Sequence, residues 1–298
     1  MTKHCIGRVS VDLPEEFHLS LPLSMSIARS LGRSEPLKME IKVFTDSLTG
    51  SDLDDRVEAR VAEIGSYSTQ LTDIVKARDR VAEGIYRIRV NKVENYYSTE
   101  LHIEKQGTYL SLASLSRQNN LDQVEREQIT FANSIRSVSK DSGKHSDFCA
   151  GKIAIEGVNT SEYGIYHFRS RKNPDLLLEI MVDSYAPDDQ ESLLQRVNGA
   201  NSLLRFLSQR PKVLRQSERI VAGMKVQEWL SVTNNKSEKQ YNFALETHGR
   251  DKTGPKAPKI HLELKSGQYD LSGKQKNSLD DASAIALWEE IVRSIVLR

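Results

Sequence analysis

The chain has 298 residues, 38% of them hydrophobic and 28% charged, with a formal net charge of +1. This length suits about two domains of ~150 residues, each with apolar residues enough for its own core. The near-neutral balance excludes the broad basic footprint of a nucleic-acid or anionic-membrane binder, and no run of ~18 apolar residues exists to form a membrane-spanning helix.

The opening stretch MTKHCIGRVSVDLP has no apolar core of a signal peptide. The expectation is a cytosolic protein, or one whose leader ended ahead of residue 1. The first element is a strand carrying Cys5, Gly7, Arg8, Val9 and Val11, and the same spacing returns in FCAGKIAIEGV as Cys149, Gly151, Lys152, Ile153 and Ile155. These are the chain's two cysteines. Three readings stand. Each is a buried thiol in its domain core, since cysteine behaves as a small hydrophobe. Or they form an interdomain disulfide, which needs Cα atoms within about 7 Å. Or one is a reactive thiol, with Lys3, His4, Arg8 and Lys152 nearby to lower its pKa. The first is taken as the expectation.

The copies stay in step further on. Pro36 heads EPLKMEIKVF (35–44) and Pro174 heads NPDLLLEIMV (173–182), with Glu40-Ile41 answering Glu179-Ile180. A proline at the head of an extended run predicts a turn feeding a strand. A helix follows in each copy: Leu53, Val57, Val61 and Ile64 recur at helical spacing, as do Leu193, Val197, Ala200, Leu204 and Leu207. Ser51-x-x-Asp54 and Asp188-x-x-Glu191 are expected to cap them. Next, ARDRVAEGIYRIRV (77–90) faces QSERIVAGMKVQEWL (216–230), punctuated by Gly84 and Gly223. Tyr86, Ile88 and Val90 alternate with Arg87 and Arg89, as in a half-buried strand. YYSTELHIEK and QYNFALETHG, then TYLSLASLSR and KIHLELKSG, read as further strands. Each copy closes on a helix, through Val124, Phe131, Ile135 and Val138 and through Ile285, Trp288, Val292 and Ile295, and IRSV (135–138) is matched to VRSI (292–295).

The polar link 139–147 divides the copies. The reading is α+β: two tandem duplicated domains, 1–140 and 147–298, each running strand–strand–helix–three strands–helix. Each is an antiparallel sheet with both helices on one face, and a cleft separates the domains.

Chemistry is sparse. The chain has no G-x-S-x-G, no P-loop, no H-E-x-x-H and no C-x-x-C, and its seven histidines are scattered. His102 and His261 alternate with apolar neighbours and are assigned to solvated sheet faces. The basic run HFRSRKNPD (167–175) reads as a solvated hairpin rather than a phosphate site, because acidic residues follow it. Tyr96, Tyr97 and Trp229 fit sheet packing. No catalytic, cofactor-binding or metal-ligating residue is assigned, and no cofactor is expected. A duplicated fold without a catalytic cluster points to binding through surfaces that the sequence leaves unknown, with cleft-facing loops as the default.

One pattern goes further. A Cys-x-Gly-Arg strand running into Asp-Leu-Pro (Cys5, Gly7, Arg8, Asp12, Leu13, Pro14), with a second Phe-Cys-x-Gly opening (Phe148, Cys149, Gly151), resembles the two-domain immunity proteins of type VI secretion lipase effectors. The resemblance covers nearly the whole chain. It implies a partner, a cognate secreted phospholipase; an inhibitor rather than an enzyme; two domains acting as a claw around the effector's lid; and a periplasmic location, with the cytoplasm as the alternative. A second class of function stands beside it: a duplicated enzyme with an interdomain active site for a small polar substrate. A third is a structural module of envelope assembly.

Overall fold

The computed structural model describes residues 1–30, 35–47, 52–138, 147–157, 159–186, 191–199, 211–235, 238–248, 253–267 and 277–298. These divide into two compact units. Unit 1 joins Met1–Leu21 to Tyr163–Arg298, and unit 2 joins Pro22–Gly143 to Asp147–Glu162.

Unit 1 takes the first three strands, β1 (Thr2–Gly7), β2 (Val9–Leu13) and β3 (Phe17–Leu19). Unit 2 follows with β4 (Leu23–Arg29), β5 (Leu37–Ser47), α1 (Asp52–Tyr67), β6 (Ile74–Ala82), β7 (Ile85–Val93), β8 (Tyr96–Lys105), β9 (Thr108–Arg117), α2 (Leu121–Asn133), β10 (Ile135–Ser137), β11 (Phe148–Ala150) and β12 (Ile153–Ile155). The chain returns to unit 1 through β13 (Ser161–Ser170), β14 (Leu177–Asp183), α3 (Leu193–Asn198), β15 (Lys212–Val221), β16 (Met224–Asn235), β17 (Glu238–Thr247), β18 (Lys259–Lys265), α4 (Asp281–Arg293) and β19 (Val296–Leu297).

The class is α+β with antiparallel sheets. Unit 2 orders its main sheet β4-β5-β9-β8-β7-β6. Unit 1 orders its own β3-β13-β14-β18-β17-β16-β15. Four strands follow the first helix of each unit, where the sequence suggested three. The runs around Gly84 and Gly223 are each two strands joined by a tight turn.

The repeated Cys-x-Gly-basic motif is a hairpin, not one strand. Ile6 pairs with Val9 and Ala150 with Ile153, so Gly7-Arg8 and Gly151-Lys152 are two-residue turns. Gly7 has φ 56° and Gly151 φ 63°. A first turn residue at positive φ matches the right-handed twist of the strands and favours glycine. Apolar residues flank the turn on both sides, which disguises it as a continuous strand.

Each motif hairpin joins the strand that follows a closing helix. β2 pairs with β19, beyond α4, and β12 pairs with β10, beyond α2. The hairpin β1–β2 therefore completes the unit that holds residues 163–298, and β11–β12 completes the unit that holds residues 22–138. The two units are interleaved along the chain.

Two further expectations change. The helices lie on opposite faces of each sheet, not on one. In unit 2, Leu53, Val57 and Ile64 of α1 pack on Ile88, Val90 and Tyr109, while Glu125 of α2 meets Arg87 and Arg89. Ile88 and Arg87 are strand neighbours, so they face opposite ways. In unit 1, Leu193 of α3 packs on Trp229 and Ala244, while Trp288 of α4 meets Glu228 and Phe243.

The match of IRSV to VRSI is also out of register. Ser134 and Ser294 are the equivalent C-caps, their hydroxyls donating to Phe131 and Ile291 carbonyls at 2.7 Å each. Ile135 thus answers Ile295, and Ile135 begins a strand rather than extending α2. The cap of α3 is Ser192 with Gln195, a reciprocal capping box. Ser51, Asp188, Ala200, Leu204, Leu207 and the link 139–146 lie outside the described residues.

Both cysteines are disulfide-bonded and none is free, which overturns the expectation of two core thiols. Burial alone, complete for Cys149, does not distinguish a thiol from a bonded sulfur. The expected thiol titre of the denatured, unreduced protein is zero. Reduction should lower stability by roughly 2–4 kcal/mol, measured as a shift of the urea midpoint at constant slope. One or two free thiols would contradict this.

Candidate functional site

The α1 face of unit 2 is built around polar and charged groups, one of which, His102, the sequence placed on a solvated face. His102 is 2% exposed, not solvated as its alternation implied. Its Nδ1 lies 2.6 Å from Tyr109 Oη, and burial pushes the Tyr109 phenol up to about 12. Arg60 on α1 reaches down with a forked pair of hydrogen bonds to Glu100, at 2.8 and 2.7 Å. Arg56 lies over the Tyr109 ring, 4.7 Å from its centroid. A helix residue and a strand residue, forty positions apart, thereby lock the helix to the sheet.

This lock is pH-sensitive. Burial pushes the Glu100 carboxyl up, but hydrogen bonds from Arg60 and His102 outweigh it and hold the group at about 2, below its ordinary 4.5. A depressed carboxyl stabilises the fold above its unfolded pKa and loses that contribution as pH falls through the folded value. Glu100 should thus contribute on the order of 3 kcal/mol near neutrality, lost between pH 4.5 and 2. Glu100→Gln should flatten the acid limb of stability against pH in that window. An unchanged acid limb would rule the assignment out.

Beyond the reach of α1, the same face opens into a groove of about 780 Å³. Pro36, Lys38, Tyr96, Ala113, Leu115 and Arg117 are among its lining residues. Leu115, near the end of β9, is 56% exposed. It is the one large aliphatic side chain in this lining that is exposed, and charged Glu35, Lys38, Glu40 and Arg117 lie around it. Tyr96, which the sequence assigned to packing, is half-buried in this rim.

Unit 1 carries different side chains at the same register. Glu40 faces Ala113 across β5 and β9, and Glu179 faces Glu263 across β14 and β18. His261, two residues along β18, places Nδ1 2.8 Å from Glu246 Oε1. Burial lowers the His261 imidazole, yet the carboxylates of Glu246 and Glu263 raise it overall to about 9. His261 is therefore charge-paired on its sheet face, not merely solvated. HFRSRKNPD is the β13–β14 hairpin, as expected, with Arg169 donating to the Pro174 carbonyl at 3.1 Å. Trp229 is buried under α3.

Among the described residues no helix is long and apolar enough to cross a membrane. Residues 144–298 match the family model described as Tle cognate immunity protein 4, C-terminal domain. Curated protein sequences hold no match to the chain. Solved structures share the fold over almost its entire length. Immunity protein TplEi of the type VI secretion system of Pseudomonas aeruginosa, in its apo structure, gives a TM-score of 0.70 at 18% identity, covering 99% of this chain and 96% of that one. The crystal structure of the Tle4-Tli4 complex gives 0.72 at 18% identity, covering 99% and 97%. TplEi bound to an "L" peptide gives 0.68 at 18% identity.

Proposed function

Because this chain belongs to the Tle cognate immunity protein 4 family, we propose that it protects its producing cell by binding and inhibiting a cognate type VI secretion lipase effector. It is an immunity protein and not an enzyme. The family match over residues 144–298 carries this conclusion. The fold likeness to proteins described as Tli4 and TplEi supports it.

The finer reading is that the sequence copies, 1–140 and 147–298, arose by duplication and together grip the effector as a claw. The shared hairpin motif, the shared order of strands and helices, and the equivalent serine caps support the duplication. The exposed Leu115 groove supplies an apolar anchor in unit 2, and the exposed Tyr185 supplies one in unit 1. Tyrosine and arginine are the residue types enriched at interface hot spots, which favours Tyr185 and the Arg117 of the groove over Leu115 as the stronger contributors. Protection demands nanomolar affinity or better, about −12 kcal/mol, over roughly 1,600 Å² of total buried surface. The two oxidised cysteines favour the periplasm, where disulfides persist, over the cytoplasm.

The test titrates the purified chain against its cognate lipase and follows phospholipid hydrolysis. Stoichiometric inhibition is expected. Leu115→Asp and Tyr185→Ala should each weaken binding by at least about tenfold. Absence of binding to the lipase removes the immunity reading. Loss confined to one variant removes the claw and leaves a single-surface inhibitor.

A further inference from the structure

We propose that Glu179, His261 and Glu263, on the sheet face of unit 1, form a binding site for a divalent transition-metal cation of the zinc type. Their ligand atoms all lie within 4.8 Å of one another. Tetrahedral zinc, with bonds of about 2.0–2.2 Å, needs donors about 3.3–3.5 Å apart. Binding therefore requires the two glutamate side chains to turn toward His261.

The backbone fixes the trio. Glu179 and Glu263 are direct cross-strand partners, and His261 follows on the same face of β18. Alternation sends all three away from the buried row Ile260, Leu262 and Leu264. All three are half-buried, which limits competition from water while leaving a path for an ion.

The surroundings orient His261, which gives up a proton when it binds the ion. Its Nδ1 faces Glu246 Oε1 at 2.8 Å, and its Nε2 points toward Glu263 Oε2 at 3.9 Å. Glu246 is buried and is itself held by Arg196 of α3 at 2.5 Å. A carboxylate on one imidazole nitrogen, with the other aimed at further donors, is how metal-binding histidines are oriented. On the far side, His167 Nδ1 stands 3.3 Å from Glu179 Oε2. Lys265 Nζ lies 2.7 Å from Glu263 Oε2 and supplies the charge that a cation would replace.

The donor set selects the ion. One imidazole and two carboxylates suit zinc and its neighbours, whereas calcium takes six to eight oxygens and magnesium keeps its waters. Unit 2 lacks the set: Ser111 and Ala113 stand in register with Lys42 and Glu40, where β18 has His261 and Glu263 opposite Met181 and Glu179. Repetition alone does not account for the trio.

The site rests on unit 1's own residues and is independent of the immunity reading. The test uses the full chain without a histidine tag, stripped with chelator and titrated calorimetrically with zinc chloride. One site is expected, with a dissociation constant below about 10 µM, and a matching rise in thermal midpoint. Cobalt(II) should give the intense visible bands of a tetrahedral site. His261→Ala should abolish both signals, Glu263→Gln should weaken binding at least tenfold, and Glu246→Gln should weaken it about tenfold through loss of orientation. Glu100→Gln, in unit 2, should leave it unchanged. Glu263→Gln preserves side-chain shape and decides the matter if His261→Ala does not fold. Absence of saturable binding, or equal binding by wild type and Glu263→Gln, would overturn the proposal.

Discussion

Glu228→Ala should destabilise unit 1 by about 3–5 kcal/mol, the cost of removing one partner from a buried charge cluster. Glu228 is wholly buried on β16. One carboxylate oxygen accepts from Trp288 Nε1 and from Arg219, both at 2.6 Å. The other accepts from Ser217 at 3.0 Å and faces Arg215 at 3.3 Å. Glu289 of α4 bridges the same two arginines from above, at 2.6 and 2.9 Å. Alanine leaves the indole N–H buried without its acceptor and two guanidinium groups sharing one carboxylate. Glu228→Gln keeps an acceptor for Trp288 and Ser217 and should cost roughly half as much. Urea unfolding followed by tryptophan fluorescence reads the difference, since Trp288 and Trp229 both belong to unit 1. A loss under about 1 kcal/mol for alanine would show the cluster to be energetically idle.

Cutting the chain at the sequence boundary should destroy both halves. A fragment 147–298 keeps β19 but lacks β2, its partner; a fragment 1–140 keeps β10 but lacks β12. In the first case the missing hairpin removes Ile6, Val9, Val11 and Leu13, each at most 1% exposed. Four such side chains are worth about 6–12 kcal/mol of burial, comparable with the whole stability of a domain. Residues 22–162, by contrast, contain every strand and helix of unit 2. That fragment should give a cooperative thermal transition and dispersed amide resonances, while 1–140 should give neither. A well-folded 1–140 would show that the hairpin is dispensable.

These two cases mark where the sequence was legible. The spacing of Leu53, Val57 and Ile64 located α1 because those residues have one environment, the core. Arg87 and Arg89 misled for the opposite reason. Their alternation with Ile88 and Val90 is that of a strand with one wet face, yet α2 covers that face by placing Glu125 between them, at 2.6 and 2.8 Å. A buried salt bridge and a solvated surface write the same letters. His102, buried with its Nδ1 against Tyr109, misled in the same way. The resemblance carried by Cys5, Gly7 and Arg8 identified the family, although the motif itself is a turn. The Glu179–His261–Glu263 trio lay outside any linear pattern, since its members come from strands separated by α3, β15, β16 and β17. The exposure of Leu115 was equally hidden, because its neighbours along β9 carry no local signal of what covers that face.

The interleaved hairpins also set an order of assembly during synthesis. Unit 2 has all its parts once residue 162 has left the ribosome. Unit 1 does not: Asp12 N–H donates to the Ser294 hydroxyl at 2.9 Å, a contact spanning 282 positions, and Arg298 N–H donates to the Arg8 carbonyl at 3.0 Å. Closing so long a loop is slow, and it waits for Ser294 and Arg298. The hairpin β1–β2 remains without its β19 partner until Val296 and Leu297 have been made. At about 5–20 residues per second that interval is tens of seconds. Unit 2 can therefore complete its fold while unit 1 still lacks the strand that closes it.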